Sequence, residues 1–497
     1  MSSDINTTKM DAMVDDQPKK LHIAMFPWLA FGHIIPFLEL SKLIARKGHR
    51  ISFISTPRNI ERLPKIPLDL AAFITFVKLP LPHLENLPEN AEATMDLPHH
   101  IVPYLKIAYD SLQEPLSRFL ETSTPDWIVY DFAPHWLPPI AIKLCISRAF
   151  FSVFSASCLG FFGPPAESSV MEDAIHPKGM RMEPERLTVP PKWITFPTKV
   201  AFPLFVANEV ILAFFEENAS GISDWFRFSK MALGSEVMAV KACMEVEGEW
   251  LKLVENLFNL PVIPVGLLPP SGEGQLVHDD HKDSAWGTIV EWLDKQEKGS
   301  VVYVAFGSES EPSQEDFKEL ALGLEQSGLP FFLVIRKQNL PESEDSDEQI
   351  PEGFEERIKD RGIVWWGWAP QVKILGHDSV GGYFTHCGWS SVTEAFQFGR
   401  PLIMLPMFGD QVLNGKLLEE MQTGAEVPRN EQDGSFSRES VAKTLRLVMK
   451  DAEGQIYRDK AKEMMTSFGD KQLQYRYVDK FVEFLVNHRR VMLATKG

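Results

Sequence analysis

The segment from Trp368 to Gln411 gathers side chains that suit a nucleoside diphosphate and an attached sugar. Its centre, HCGWSS at 386–391, follows a strand-like run and precedes a helical pattern. A helix start offers unbonded N–H groups and partial positive charge, which favour a phosphate. Trp368 presents a flat face for a base, and Glu394 a carboxylate for ribose hydroxyls. Asp410 and Gln411 bring polar groups for sugar hydroxyls, so the segment predicts a binding site for a nucleotide and its sugar.

A second group of residues could supply a general base. His33 follows the first predicted strand, at the sheet edge where ligands of parallel α/β folds bind. Its usual pKa of about 6.5 lets it accept a proton near neutral pH, although a lone histidine at a helix start is more often a cap or surface group. Asp131 ends another predicted strand at the same edge, and a carboxylate there would orient the ring and stabilise the imidazolium. The two residues are therefore predicted to form a catalytic dyad.

The pattern of strands and helices in the first half explains how these two residues could meet. An apolar run, a helical pattern closed by Gly48 and a second apolar run form a βαβ unit, which implies a parallel sheet. Strands are predicted at 21–26, 51–55, 127–130 and 149–154. The stretch from 164 to about 235 has weak periodicity, and it is interpreted either as loops and helices lining an acceptor pocket or as a variable surface insertion.

The same alternation restarts in the second half after a stretch rich in Pro, Gly and Asp. Strands are predicted at 301–306, 331–335, 363–366, 382–385 and 402–405, and a last helix at about 473–489. The predicted fold class is therefore α/β, with two doubly wound parallel-sheet domains facing a cleft. The predicted division is a disordered leader (1–20), an acceptor-binding domain (21–265), a linker (266–287), a donor-binding domain (288–468) and a C-terminal helix crossing back to the first domain (469–497).

Composition and charge exclude several classes of protein. The chain has 497 residues, enough for two domains, and its formal charge of −18 argues against a nucleic-acid binder. No apolar run approaches the roughly 18–20 residues that span a bilayer, and the acidic N-terminus resembles neither a signal nor a transit peptide. Four scattered cysteines predict neither a disulfide framework nor a zinc site, and they favour a reducing, cytoplasmic location.

Three patterns that could suggest other chemistry fail on inspection. Asp345 and Asp347 mimic a metal-binding pair, but they lie in an acidic run that is typical of solvated surface. The segment 409–416 resembles a P-loop with wrong spacing, and Leu417 replaces the hydroxyl residue that would hold magnesium. A nicotinamide-dependent oxidoreductase would require a Gly-x-Gly-x-x-Gly fingerprint, which the sequence lacks.

Taken together, these motifs resemble the plant UDP-dependent glycosyltransferases of glycosyltransferase family 1. The segment 368–411 has the length and terminal residues of that family's plant secondary product signature, and the stretches 27–49, 261–270 and 299–309 match as well. The resemblance therefore covers nearly the whole chain. It implies a GT-B fold and an inverting transfer from a UDP-sugar, which is a co-substrate, without a metal or cofactor.

The resemblance also implies a role for each motif residue. His33 would be the base and Asp131 its partner, Trp368 would stack on uracil near Ala369 and Gln371, and Glu394 would bind ribose. Contacts with the diphosphate are implied for His386, Gly388, Ser391 and Ser308. Contacts with the sugar are implied for Trp389, Asp410, Gln411 and Ser155. Ser390 stands where the family commonly has Asn, and tuning of the donor site is expected there. Gln411 favours glucose over galactose.

The acceptor is less well specified than the donor. The N-terminal segments and linker resemble the subgroup that extends a sugar on a glycoside, including steviol-type diterpenoid-glycoside β-1,2-glucosyltransferases. We expect UDP-glucose and a small glycoside as partners, and a monomeric chain with no membrane span. Two alternatives stay open: transfer from UDP-rhamnose or another UDP-sugar to flavonoid or saponin glycosides, and a non-catalytic nucleotide-sugar binding protein.

Overall fold

The computed structural model describes residues 20–164, 183–270, 280–307, 312–335 and 350–488. Six predictions therefore lie wholly or partly outside the described residues. They concern the leader at 1–19, part of the segment 164–235 (165–182), the central part of the linker at 271–279, Ser308, the acidic run with Asp345 and Asp347, and the chain end at 489–497.

The first domain is built on a parallel sheet of seven strands, with spatial order β3-β2-β1-β4-β5-β6-β7. The strands are β1 (His22–Phe26), β2 (Arg50–Ser55), β3 (Ile74–Lys78), β4 (Trp127–Tyr130), β5 (Ser147–Ser152), β6 (Val237–Val240) and β7 (Val262–Pro264). The chain leaves β1 toward β2 and later returns to β4 on the other side, so the order reverses between β1 and β4. Ligands of such sheets bind at this switch point, beyond the carboxyl ends of the strands.

Helices flank this sheet because apolar residues recur at helical spacing between the strands. They are α1 (Phe31–Ala45), α2 (Pro57–Arg62), α3 (Val102–Asp110), α4 (Gln113–Ser123), α5 (Leu137–Lys143), α6 (Ala156–Phe162), α7 (Pro184–Leu187), α8 (Leu204–Val210), α9 (Asp224–Gly234) and α10 (Met244–Phe258). Short 3₁₀ helices form at Thr94–Asp96 and His99–Ile101, and a π-helix at Ile211–Phe215 follows α8.

The second domain repeats the design with a six-stranded parallel sheet of order β10-β9-β8-β11-β12-β13. Its strands are β8 (Val301–Ala305), β9 (Phe331–Ile335), β10 (Gly362–Trp366), β11 (Val380–Thr385), β12 (Leu402–Met404) and β13 (Gly424–Glu426). Its helices are α11 (Asp280–Leu293), α12 (Gln314–Ser327), α13 (Phe354–Ile358), α14 (Gln371–Leu375), α15 (Trp389–Gln397), α16 (Asp410–Glu420), α17 (Arg438–Met449) and α18 (Gln455–Phe468), with a 3₁₀ turn at Ala452–Gly454. The predicted class, two parallel-sheet α/β domains, is confirmed.

The last helix, α19 (Lys471–His488), packs on the first domain. Phe481 and Leu485 are fully buried in the same apolar cluster as residues of β1, β2 and α1. Trp127 in β4 donates its indole N–H to the carbonyl oxygen of Leu485 at 2.9 Å. The C-terminal end of the chain thereby ties the second domain to the core of the first.

Replacing Phe481 by alanine should therefore destabilise the protein by about 3–5 kcal/mol, the usual cost of emptying a core aromatic site. Tyr475→Ala on the same helix is the matched control, since Tyr475 is 37% exposed. Substitutions at such exposed positions usually change the free energy of unfolding by less than about 0.5 kcal/mol. Urea unfolding followed by tryptophan fluorescence measures both, and equal midpoints for the two variants would contradict this account of α19.

Two boundaries differ from the sequence-based expectation. Residues 280–287, assigned to the linker from their Asp-rich composition, form the first turns of α11. Ile289 and Leu293, four residues apart and fully buried, anchor that helix to the core. The helical pattern expected to follow the 386–391 motif begins inside it, at Trp389, because the left-handed residue Cys387 (φ +67°) ends the preceding turn and Gly388 takes the N-cap position.

Candidate active site

The predicted dyad is assembled at the switch point of the first sheet. Strand β1 pairs with β4 in parallel, with Phe26 opposite Tyr130, so the residues that follow the two strands emerge side by side. His33, in the first turn of α1, places Nδ1 2.7 Å from Oδ2 of Asp131. The Asp131 carboxylate is 1% exposed and also accepts the backbone N–H groups of Trp28 (3.1 Å) and Phe132 (2.7 Å).

These bonds indicate the tautomer of the neutral imidazole. An ionised carboxylate only accepts hydrogen bonds, so Nδ1 of His33 carries the hydrogen and Nε2 is the basic nitrogen. The ring lies between two aromatic side chains, with centroids 5.8 Å from Phe132 and 5.5 Å from Phe154. The arrangement is that of a general base oriented by a buried acid, beside an apolar surface.

The turn between β11 and α15 has the form expected of an anion site. Thr385 ends the strand and its hydroxyl accepts the N–H of Cys387 at 3.2 Å. Gly388, at the N-cap of α15, has no side chain to accept the first-turn N–H groups of that helix. Such N–H groups at a helix start favour an anionic ligand. Cys387 is fully buried, and burial holds the pKa of its thiol well above the usual range, so it is a packing residue rather than a nucleophile.

The imidazole of His386 is fixed by two glycines. A Cβ atom on Gly307 would come within 2.6 Å of its Cε1, and one on Gly388 within 2.5 Å of its Nε2. Both approaches are closer than carbon atoms tolerate, and Gly307 also has a φ of +73°. The structure thus brings the end of β8 and the start of α15 together around His386, which is buried. Ser308, predicted to join them, lies outside the described residues.

A polar cluster forms where the ribose was expected. Nε2 of Gln371 donates to Oε2 of Glu394 at 2.7 Å and lies 3.3 Å from Oγ of Ser391. Burial raises the pKa of Glu394, while the bond from Gln371 and the charge of Lys241 lower it. Sequence reasoning found Gln371, Ser391 and Glu394, and the structure places them in contact.

Two tyrosines complete this cluster and were not predicted. The hydroxyls of Tyr303 and Tyr383 each donate to Oε1 of Gln371 at 3.3 Å. Because the amide oxygen is held this way, its nitrogen is turned toward Glu394. Tyr303 lies in β8 and Tyr383 in β11, both predicted as strands, and the sequence analysis assigned neither tyrosine a role in the site.

Trp368 and Ala369, the residues predicted to contact the nucleobase, lie just before α14. The side chain of Trp368 is 55% exposed, and its carbonyl oxygen accepts the indole N–H of Trp365 at 3.0 Å. Ala369 is buried beside it, one residue before the helix N-cap. A large indole with about half of its surface exposed suits the predicted stacking contact with a nucleobase.

Asn414, which was not predicted, joins two of the predicted sugar-binding residues, Asp410 and Ser155, at the start of α16. Asn414, fully buried, donates to Oδ2 of Asp410 and to the carbonyl oxygen of Cys387, each at 3.1 Å. Its Oδ1 accepts the hydroxyl of Ser155, from the first domain, at 2.7 Å. Oε1 of Gln411 accepts the backbone N–H of Met407 at 3.1 Å. The spacing of Asp410 and Asn414 by four residues was the available signal for this contact.

Trp389 and Ser390 contact the first domain. The indole of Trp389 is 3% exposed and donates to the carbonyl oxygen of Lys241 at 2.9 Å. Oγ of Ser390 accepts a hydrogen bond from Nζ of Lys241 at 2.8 Å. The contact of Trp389 with a sugar stays a prediction, as do the ligand contacts of the other site residues. Lys241 was not found from the sequence, since a single lysine after a strand carries no distinctive spacing.

Within the described residues, no group of three or more His, Cys, Asp or Glu side chains is arranged to hold a metal ion. None of the described helices combines the length and the apolar character needed to cross a membrane.

Two family profiles and several individual proteins match this sequence along most of its length. The profile of the family described as "UDP-glucoronosyl and UDP-glucosyl transferase" matches residues 188–490, and that of "Glycosyltransferase, N-terminal domain" matches residues 19–155. UDP-glycosyltransferase 91A1 of Arabidopsis thaliana is 48% identical, over 96% of this chain and 98% of its own length. UDP-glycosyltransferase 91D2 of Stevia rebaudiana is 48% identical (97% and 98%), and soyasaponin III rhamnosyltransferase of Glycine max is 42% identical (98% and 99%).

Solved structures share the architecture at lower sequence identity. UGT71G1 of Medicago truncatula, complexed with UDP-glucose, superposes with a TM-score of 0.72 at 22% identity, covering 95% of this chain and 99% of its own. UGT73P12 of Glycyrrhiza uralensis, complexed with glycyrrhetinic acid 3-O-monoglucuronide, gives 0.72 at 23% identity (94% and 96%). These likenesses confirm the predicted GT-B fold. With a family profile over more than half of the chain and relatives at 48% identity, the chain belongs to the plant UDP-dependent glycosyltransferases and is a glycosyltransferase enzyme.

Proposed function

We propose that this enzyme transfers glucose, with inversion, from UDP-glucose to a sugar hydroxyl of a terpenoid glycoside of the steviol type, forming a β-1,2 linkage. The observation that carries the catalytic part of the proposal is the 2.7 Å contact between His33 and the buried Asp131. A non-catalytic nucleotide-sugar binding protein would have no need of an oriented base at the switch point of its other domain.

The donor part is supported by the groups in the second domain. The half-exposed indole of Trp368 suits the uracil ring, and the carboxylate of Glu394 suits the ribose hydroxyls. The uncapped start of α15 and the buried His386 suit the diphosphate. Asp410 and Gln411, at the first turn of α16, then suit the sugar.

The chemical step follows from this arrangement. Nε2 of His33 takes the proton of the acceptor hydroxyl while that oxygen forms a bond to the anomeric carbon. The bond from that carbon to the UDP oxygen breaks on the opposite face, and UDP leaves with the electron pair. The helix start and His386 stabilise the charge that develops on the leaving diphosphate, which is the role that a divalent metal would otherwise take. Asp131 stabilises the imidazolium through Nδ1. Because the helix start and His386 take the role of the metal, we expect transfer without an added metal.

Separate observations support the proposed donor and the proposed acceptor. Gln411 supports glucose, and the resemblance of the N-terminal segments and the linker to the sugar-extending subgroup supports a glycoside acceptor. The relative named as a soyasaponin III rhamnosyltransferase, at 42% identity, keeps UDP-rhamnose as the second candidate donor. A glycoside acceptor also agrees with a solved structure of the same fold that holds a monoglucuronide. We further propose a monomer located in the cytoplasm, in line with the scattered cysteines.

A donor and acceptor screen tests the proposal. UDP-glucose and UDP-rhamnose are each supplied with terpenoid, flavonoid and saponin aglycones and with their monoglucosides, and UDP release and product mass are measured. We expect the highest kcat/KM for UDP-glucose with a terpenoid monoglucoside, and a 1→2 link between the two sugars by NMR. His33→Ala, purified identically, controls for contaminating activity.

The other outcomes of the screen are informative. A preference for aglycones would refute the sugar-extending role, and a preference for UDP-rhamnose would favour the alternative donor. Binding of UDP without transfer to any acceptor would support the non-catalytic alternative.

A further inference from the structure

Lys241 connects the first domain to the first turn of α15. It follows β6, and its backbone N–H donates to the carbonyl oxygen of Ser152 at 2.9 Å, which fixes it to the edge of the first sheet. Its carbonyl oxygen accepts the indole of Trp389, and its ammonium donates to Oγ of Ser390 at 2.8 Å. One residue of the first domain thus holds two successive residues of the helix that begins the donor site.

The charge of Lys241 is the unusual feature of this contact. The residue is 1% exposed, and an ammonium group carries three donors. Among the described residues its Nζ has one hydrogen bond, to the neutral hydroxyl of Ser390. A buried charge needs a counter-charge, because its desolvation costs several kcal/mol otherwise.

Glu394 is in position to supply that counter-charge. It lies four residues after Ser390 in α15, and residues with this spacing share one face of a helix. Burial lowers the pKa of Lys241 to about 8, and the charge of Glu394 opposes that shift. Burial raises the pKa of Glu394, and the charge of Lys241 opposes it in turn. Each group therefore helps to keep the other charged.

We propose that Lys241 is a positioning residue of the nucleotide site, which acts from the first domain by balancing the charge of Glu394 and fixing the start of α15. This inference rests on the proposed role of Glu394 as the ribose ligand. An ionised carboxylate accepts hydrogen bonds from both ribose hydroxyls, whereas a protonated one loses part of that capacity. The nucleotide site is then complete only while Lys241 is in contact with α15, so donor affinity depends on the closed arrangement of the two domains.

Calorimetric titration of the full-length protein with UDP and with uridine tests this role. Lys241→Met, which keeps the length of the side chain without its charge, should weaken the binding of both ligands by roughly tenfold or more. The loss is equal for both ligands because it arises at the ribose. Lys241→Arg should restore most of the affinity. In steady-state assays Lys241→Met should raise the KM for the donor far more than it lowers kcat.

A double variant separates action through Glu394 from direct contact with the diphosphate. Once Glu394→Gln has removed the carboxylate, adding Lys241→Met should change UDP affinity by less than about twofold. The double variant leaves no unbalanced charge, so it carries the test even if Lys241→Met alone does not fold. A further loss of UDP affinity in the double variant would overturn the inference in favour of a phosphate contact. A loss of affinity for UDP with the affinity for uridine unchanged would do the same. Unchanged UDP affinity in a folded Lys241→Met would also overturn it. Failure of the unmodified protein to bind UDP would count against the proposed function instead.

Discussion

Replacing His33 by alanine should lower kcat for sugar transfer by roughly 10²–10⁴-fold, the usual contribution of a general base. The affinity for UDP should stay within about twofold, because His33 belongs to the first domain and the proposed nucleotide contacts belong to the second. Alanine removes the side chain proposed to take the acceptor proton while leaving the Asp131 carboxylate bonded to Trp28 and Phe132. Rapid quench assays at saturating donor and acceptor measure kcat, and calorimetry measures UDP affinity.

The control for this variant is His83→Ala. His83 is exposed, in a loop after β3, and its removal should leave both quantities unchanged. Turnover of His33→Ala close to that of the unmodified enzyme, with intact UDP binding, would remove His33 from the mechanism. Loss of UDP binding together with turnover would instead mean that the variant disturbs the donor site.

Asp131→Asn should lower kcat by a factor on the order of 10³. The carboxylate accepts three N–H groups, from His33, Trp28 and Phe132. An amide of the same size must turn its NH₂ group toward at least one of these donors. If that donor is Nδ1 of His33, the ring adopts the other tautomer and Nε2 carries a hydrogen, so it cannot accept the acceptor's proton. If it is a backbone N–H, a buried donor loses its partner at a cost of about 1–3 kcal/mol of stability.

Kinetics and unfolding together distinguish these effects. The expected signature of Asp131→Asn is a large fall in kcat with little change in donor KM, and a lowered unfolding midpoint. The matched control is Asp126→Asn, whose carboxylate accepts the backbone N–H of His22 at the opposite end of the same sheet. A similar fall in kcat for both aspartates would show that the loss comes from general destabilisation rather than from the dyad.

Most of the fold could be predicted from the sequence, because local patterns of apolar residues determine its strands and helices. The run of apolar residues in β1, the helical spacing in α1 and the return to β2 predict a parallel unit, and parallel pairing brings the residues after β1 and β4 to one edge. The proximity of His33 and Asp131 therefore followed from element order alone. The linker was predicted to extend to residue 287, but α11 begins at Asp280, because the Pro, Gly and Asp content of 266–287 favoured a linker over a helix there.

The contacts between the two domains could not be predicted from the sequence in this way. Lys241 meets Ser390 across 149 positions, and Ser155 meets Asn414 across 259. Periodicity reports only which face of an element is buried, so it does not show which polar side chain of one domain will reach the other. The tyrosines that hold Gln371 were hidden for a related reason, since a tyrosine in a buried strand is indistinguishable by pattern from any other core aromatic.

The most direct test of the account is the anomeric configuration of the product. The purified enzyme is given UDP-glucose, in which glucose is α-linked, with a glycoside acceptor identified by the screen, and the new linkage is assigned by proton NMR. A single displacement with His33 as base inverts the anomeric carbon, so the account predicts the β-glycoside together with one UDP per glycoside formed. An α-glycoside would contradict it, because retention requires an intermediate or a front-face reaction that the His33–Asp131 pair does not support.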